Sequence, residues 1–206
     1  MSDSLRDAAA ARTATVDRKT KETDIRCTLV IHAAGEESTC KVSTGIGFLD
    51  HMIDAFSRHG GFSIDLSCAG DLHIDQHHTV EDVGIVLGQA FASALGSGAG
   101  IERFGLMECP LDEALVKAVV DISGRPFLHY GVTYRRPFIG TLDSSLLREF
   151  LGGFVLHAKW TVHVDALRGE NDHHIAEALF KAFARAARQA VKASGLSGIP
   201  STKGVL

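Results

Sequence analysis

Two stretches of this chain can do metal chemistry. Asp75–Gly84 (DQHHTVEDVG) and Asn171–Phe180 (NDHHIAEALF) each carry a His-His pair followed three residues later by Glu, in a sequence of 206 residues with 11 histidines. On a helix, residues four apart lie on one face, so His77 can aim with Glu81, and His173 with Glu177, at a common point. Imidazole together with carboxylate suits a divalent transition metal. The second histidine of each pair is turned by about 100° from the first, so one ion can hardly take both rings. The pairs therefore imply two metal sites, each fed by more than one segment. Which ring serves which ion stays open at this level.

A further ligand source lies upstream of each pair. His51 sits near the start of a predicted helix (GFLDHMIDAF), and Glu149 stands at the matching place in the later LLREF, allowing a shift of a residue or two. The remaining histidines, His32, His59, His73, His129, His157 and His163, read as ordinary surface residues. A second group of side chains suits an anion: Arg103, Arg125, Lys181, Ser201, Thr202 and Lys203 supply guanidinium, ammonium and hydroxyl donors fitted to phosphate.

The elements that carry these residues are written twice. Alternation in DIRCTLVIH and STCKVST predicts two strands forming a hairpin; a helix with Leu49, Met52, Ile53 and Phe56 on one face follows, then the strand FSIDLSC and a long helix opened by His77. After GSGAG the order returns, with ALVKAVVDIS and FLHYGVTY as strands, SSLLREFLGGFVLHA as a helix, WTVHVDAL as a strand and a helix opened by His173. The expected fold is α+β, with internally duplicated ββαβα halves whose sheets are covered by helices on one face. The expected divisions are a mobile arm at 1–20, a first repeat at 21–97, a second at 98–195 and a tail at 196–206.

Composition removes other functions. A net charge of −4 with both signs interspersed offers no basic stripe for nucleic acid. No stretch reaches the roughly 18 apolar residues of a membrane span, and the N-terminus lacks the apolar run of a secretion signal. Cys27, Cys40, Cys68 and Cys109 have no paired spacing, which fits reduced thiols and a cytoplasmic location. A plastid location would need a targeting segment ahead of Met1.

RKTKET, STGIGFLDHM, DLHIDQHHTVEDVG, ERFG, DISGRP, RGENDHHIAEALFKAFARA and PSTKGVL all resemble segments of the imidazoleglycerol-phosphate dehydratases, in that family's order, from Arg18 to Leu206. The resemblance implies halves of ferredoxin-like or ribosomal protein S5 domain 2-like fold, and two Mn2+ per active site. It also implies a homo-oligomer of 24 subunits with active sites between subunits. The ligands it carries over are His51, His77, His78, Glu81, His173, His174 and Glu177. Several members have His in an EHFF segment where this chain has Glu149 in REFL; glutamate can also ligate, and Glu149 joins the expected set. Glu22 is implied as acid/base beside the substrate, with Arg103, Arg125, Lys181, Ser201, Thr202 and Lys203 around its phosphate. The implied reaction is dehydration of imidazole glycerol phosphate to imidazole acetol phosphate in histidine biosynthesis, by way of a metal-stabilised imidazolate. A metal-dependent hydrolase and a non-catalytic, metal-stapled assembly module are the alternatives the ligands allow.

Overall fold

The computed structural model describes residues 11–33 and 36–206, so the first part of the expected arm, 1–10, lies outside the described residues. The first half runs β1 (Arg12–Lys19), β2 (Thr23–Ile31), β3 (Cys40–Ser43), α1 (Gly47–Gly60), β4 (Phe62–Gly70) and α2 (His77–Leu95). The second runs β5 (Phe104–Leu111), β6 (Ala114–Asp121), β7 (Phe127–Gly131), the short β8 (Phe138–Ile139) and β9 (Leu142–Asp143), α3 (Leu146–Ala158), β10 (Thr161–Arg168) and α4 (Asp172–Val191). The sheet orders are β1-β2-β4-β3 and β5-β6-β10-β7, with the first two pairings antiparallel and the last parallel in both. The duplication expected from the sequence is thus present in the topology itself.

Besides the short β8–β9 pair, which was not expected, three details differ from the expectation. Residues 12–19, assigned to a mobile arm, form β1, which pairs along its whole length with β2. β1 presents only Ala14 and Val16 to the inner face beside charged and hydroxyl residues, so its alternation is faint; it forms because the edge of β2 has backbone groups to pair. β5 is likewise an extra leading strand, its period hidden because Phe104 and Leu106 face outward while Gly105 faces in. Lastly, β2 and β3 make no hairpin. β4 lies between them, and β3 runs parallel to β4 because α1 supplies the crossover that a parallel pair requires.

The helices fill the space between the two sheets. Ile25, Cys27, Leu29 and Ile31 of β2 and Val116, Ala118 and Val120 of β6 are buried on the inner faces. Each helix sends one phenyl ring to the centre: Phe56 and Phe183 lie 5.2 Å apart, Phe154 and Phe183 5.2 Å, and Phe91 and Phe154 5.4 Å. The two repeats consequently share one core. α1 packs on α4 and α2 on α3, so each first-half helix pairs with a second-half helix. The α2–α3 approach is close because Gly84 and Gly88 abut backbone: an added Cβ would lie 2.2 Å from the Phe150 carbonyl oxygen and 2.4 Å from that of Phe154.

The ends of the paired helices put the site residues in register. α1 stops on Gly61 and α3 on Lys159, both left-handed (φ 67° and 60°). Ten residues back from these caps stand His51 and Glu149, which makes them equivalent by position in the fold.

Candidate metal centre

α4 begins at a well-made N-terminus, where the Asn171 side chain accepts the N–H of His173 at 2.9 Å. This fixes the first turn, and the α1–α4 packing brings His51 over it. The Nε2 atoms of His51 and His173 each lie 3.2 Å from Glu177 Oε2. One donor atom from each of the three residues falls within 4.8 Å of the others. Two imidazole nitrogens and one carboxylate oxygen converging in this way fit a divalent transition metal. Lys181, one turn further along α4, donates to Glu177 Oε1 at 2.7 Å. Burial works against the charge on Glu177, but Lys181 and the two histidines outweigh it and hold the carboxyl down at about 2.

The first half repeats part of this arrangement. His77 Nε2 lies 3.4 Å from Glu81 Oε2 on α2, the counterpart of His173 and Glu177 on α4. Glu149 is half-buried on α3, and among the described residues the three-donor convergence is found at His51, His173 and Glu177 but not around Glu149. The second histidine of each pair points elsewhere: the rings of His77 and His78 are perpendicular (90°), and those of His173 and His174 nearly so (85°). His78 places Nδ1 2.9 Å from Asp71 and Nε2 3.8 Å from Glu22. His174 places Nδ1 2.7 Å from Glu113 and Nε2 3.8 Å from Asp112. The bond to Asp71 raises the pKa of His78, and the bond to Glu113 that of His174. Glu113 in turn is held down at about 2 by His174 and by the N–H groups of Asn171 and Glu170.

Glu22 stands in the tight turn between β1 and β2. The Thr20 hydroxyl accepts the N–H of Glu22 and of Thr23, each at 3.0 Å, and the buried Thr23 hydroxyl donates to Asp82 on α2. Arg18 also pairs with Asp82. The turn is therefore clamped against α2 one helical turn beyond His78.

The phosphate-type donors gather at the other end of the molecule. Arg103 N–H donates to the Ala190 carbonyl near the end of α4, and its guanidinium reaches Asp121 at 2.7 Å and the Pro200 carbonyl at 2.8 Å. The tail that carries Ser201, Thr202 and Lys203 folds back so that the terminal Leu206 abuts Gly124, beside Arg125. Lys181 does not join this group, since it pairs with Glu177. From Glu177 to Ala190 along α4 is about 20 Å at 1.5 Å per residue. Within one chain, then, the metal-type ligands of α4 and the phosphate-type donors are far apart.

A cavity of about 610 Å³ opens beside the start of α4, lined by Arg135, Arg136, Phe138, Asn171, His173 and His174. The loop that walls it is tied to both histidine-bearing helices. The Asp172 carboxylate accepts the N–H of Arg135 and of Arg136 at 2.9 Å each, and the Gln76 amide donates to the Thr141 carbonyl at 3.1 Å. Asp71, Glu113, Asp112 and this arginine pair escape the sequence reading. Each is a single polar residue in a turn or loop, and nothing in its local pattern tells which helix end the fold will bring to it.

A duplicated α+β protein with His/Glu clusters at paired helix ends is the class that fold and site define. Residues 44–187 match the family model of imidazoleglycerol-phosphate dehydratase. An imidazoleglycerol-phosphate dehydratase from Aromatoleum aromaticum is 53% identical over 197 residues, covering 95% of this chain and 100% of that protein. One from Caldicellulosiruptor saccharolyticus is 52% identical over 196 residues, covering 95% and 99%. Among solved structures, the enzyme from Staphylococcus aureus superposes with a TM-score of 0.77 at 36% identity, over 90% of this chain and 100% of its own. That from Pyrococcus furiosus, solved in complex with a ligand, gives 0.79 at 38%, over 93% and 100%. The chain belongs to the imidazoleglycerol-phosphate dehydratase family, a family of hydro-lyases.

Proposed function

We propose that this protein removes water from imidazole glycerol phosphate to give imidazole acetol phosphate, a step of histidine biosynthesis, in the cytoplasm. The observation that carries the reading is the convergence of His51, His173 and Glu177 in a chain of this family. His77, His78, Glu81 and His174 complete the ligand set, and Glu149, equivalent to His51 by its place on α3, is assigned to the same set. Two Mn2+ per active site are part of the proposal. Bound there, the ions would supply positive charge that favours the deprotonated, electron-rich form of the substrate's imidazole.

The chain's own residues do the remaining work. The proton to be lost sits on carbon with no carbonyl beside it, so the ring must release electrons as the adjacent hydroxyl departs. Glu22, 3.8 Å from His78 Nε2, gives that hydroxyl the proton it needs to leave as water, or takes the neighbouring C–H proton; the resulting enol becomes the ketone. A positioned acid/base of this kind contributes roughly 10²–10⁴-fold. Arg103, Arg125, Ser201, Thr202 and Lys203 hold the phosphate, with Lys181 at the metal end of the substrate, and so fix the reacting carbons. Glu22→Gln is expected to keep substrate affinity by calorimetry while turnover to the ketone falls by about that factor. Undiminished turnover would remove Glu22 from the chemistry. Release of inorganic phosphate in place of ketone would favour the hydrolase reading.

The separation of metal and phosphate donors supports a homo-oligomer, proposed to contain 24 subunits, whose active sites take their two ends from different copies. Phe104, Leu106 and Phe127 on the outer face of the second sheet are 59, 52 and 55% exposed, an apolar surface suited to a neighbouring subunit.

A further inference from the structure

We propose that Glu113 and Asp71 are positioning residues that fix the proton of His174 and of His78 on Nδ1, so that Nε2 of each ring offers its lone pair to an ion. The inference rests on reading these helix ends as metal sites, and it adds two residues outside the ligand set.

A carboxylate only accepts, so a neutral imidazole whose Nδ1 lies 2.7 Å from Glu113, or 2.9 Å from Asp71, must carry its hydrogen on that nitrogen. Glu113 cannot swing away to a different role. Its other oxygen accepts the N–H of Glu170 at 3.0 Å and of Asn171 at 2.7 Å, which joins the β5–β6 turn to the start of α4. Asp71 is anchored through its backbone, donating its N–H to the Glu22 carbonyl at 3.0 Å and accepting that of Ile74 at 2.8 Å. Its other oxygen, Oδ1, is buried without a hydrogen-bond partner among the described residues.

The two carboxylates do not occupy equivalent places in the repeat. Asp71 follows β4, whereas Glu113 lies in the turn between β5 and β6; the end of β10 that corresponds to Asp71 reads Leu167, Arg168 and then Gly169, with no carboxylate. The first-half counterpart of Glu113 is Glu22 in the β1–β2 turn, which lies 3.8 Å from Nε2 of His78 and leaves Nδ1 to Asp71. Two different connections instead bring a carboxylate to the same nitrogen of the same histidine, and this points to a requirement of the site. Orienting a ligating ring through its other nitrogen is what that requirement looks like chemically.

Two measurements on the full-length protein test this. In the metal-free protein, at a pH high enough that both rings are neutral, ¹⁵N resonances of His174 and His78 should report the hydrogen on Nδ1; a neutral ring with its hydrogen on Nε2 overturns the proposal whatever the variants do. Titration with Mn2+ under chelator competition then compares wild type with Glu113→Gln and Asp71→Ala. In Glu113→Gln the amide oxygen must face the two backbone N–H groups, which turns the NH₂ toward His174 and drives its proton to Nε2. Each variant is expected to weaken the Mn2+ its histidine serves by about 10–100-fold and leave the other ion in place. Unchanged Mn2+ affinity in both variants overturns the positioning role, while a wild-type protein that takes up no Mn2+ overturns the metal reading beneath it. Dehydration of the substrate plays no part in either readout.

Discussion

At the residue scale the most committed side chain is Glu177, which receives Lys181 on one oxygen and His51 and His173 on the other. Its carboxyl stands near 2 in the folded protein, below the ordinary value of 4.5. A depressed pKa contributes stability that is fully present above the unfolded value and lost as pH falls through the folded one. In the metal-free protein, urea midpoints of wild type and Glu177→Gln should therefore differ most above about pH 5 and converge as pH falls toward 2. A gap that stays constant across that window would mean the carboxylate gains nothing from its three partners. The candidate ligands are legible because His-His-x-x-Glu is written twice and helix geometry converts that spacing into two directions. Asp71 and Glu113 are not, because their part depends on which turn the fold carries to a helix end. Glu149 lies between these cases: duplication and the matching helix caps place it opposite His51, yet no three-donor group forms around it among the described residues.

At the element scale the site depends on how closely first-half helices approach second-half helices. Gly88 of α2 lies against the Phe154 carbonyl with no room for a methyl group, since a Cβ there would sit 2.4 Å away from that oxygen. Gly88→Ala must push α2 from α3, and overpacking of this kind costs roughly 1–3 kcal/mol. A lowered urea midpoint with unchanged slope would show it; a midpoint equal to wild type would mean the helices slide apart freely. The helices themselves were plain in the sequence, because Leu49, Met52, Ile53 and Phe56 or Leu146, Leu147, Phe150 and Phe154 repeat at helical spacing on buried faces. Strand pairing was harder to read. β1 is nearly all polar and β5 is apolar on its exposed side, so neither alternates cleanly, and the insertion of β4 between β2 and β3 is a choice made through α1 at long range.

At the scale of the whole molecule one arrangement decides how the protein can work. No helix of the described residues is long and apolar enough to cross a membrane, and the two sheets enclose a single four-helix core. α4 then acts as a spacer, with His173 and Glu177 at its start and the Ala190 carbonyl, bonded to Arg103, near its end. A phosphorylated imidazole is far shorter than the roughly 20 Å of helix between these groups. If the proposed site takes metal ligands from one copy and phosphate donors from another, two defects in different copies can be sorted apart by mixing. Glu177→Gln alone removes the ligand, and Arg125→Ala alone removes a phosphate donor, so each pure protein is expected to be inactive. Dissociated and reassembled together, they should recover activity, because some sites then draw an intact ligand set from one variant and an intact Arg125 from the other. Mixing without dissociation serves as the control and should recover none. If reassembled mixtures stay inactive while wild type reassembles fully, both ends of each site come from a single chain, and the fold would have to bring α4's two ends to one substrate by a rearrangement of its core.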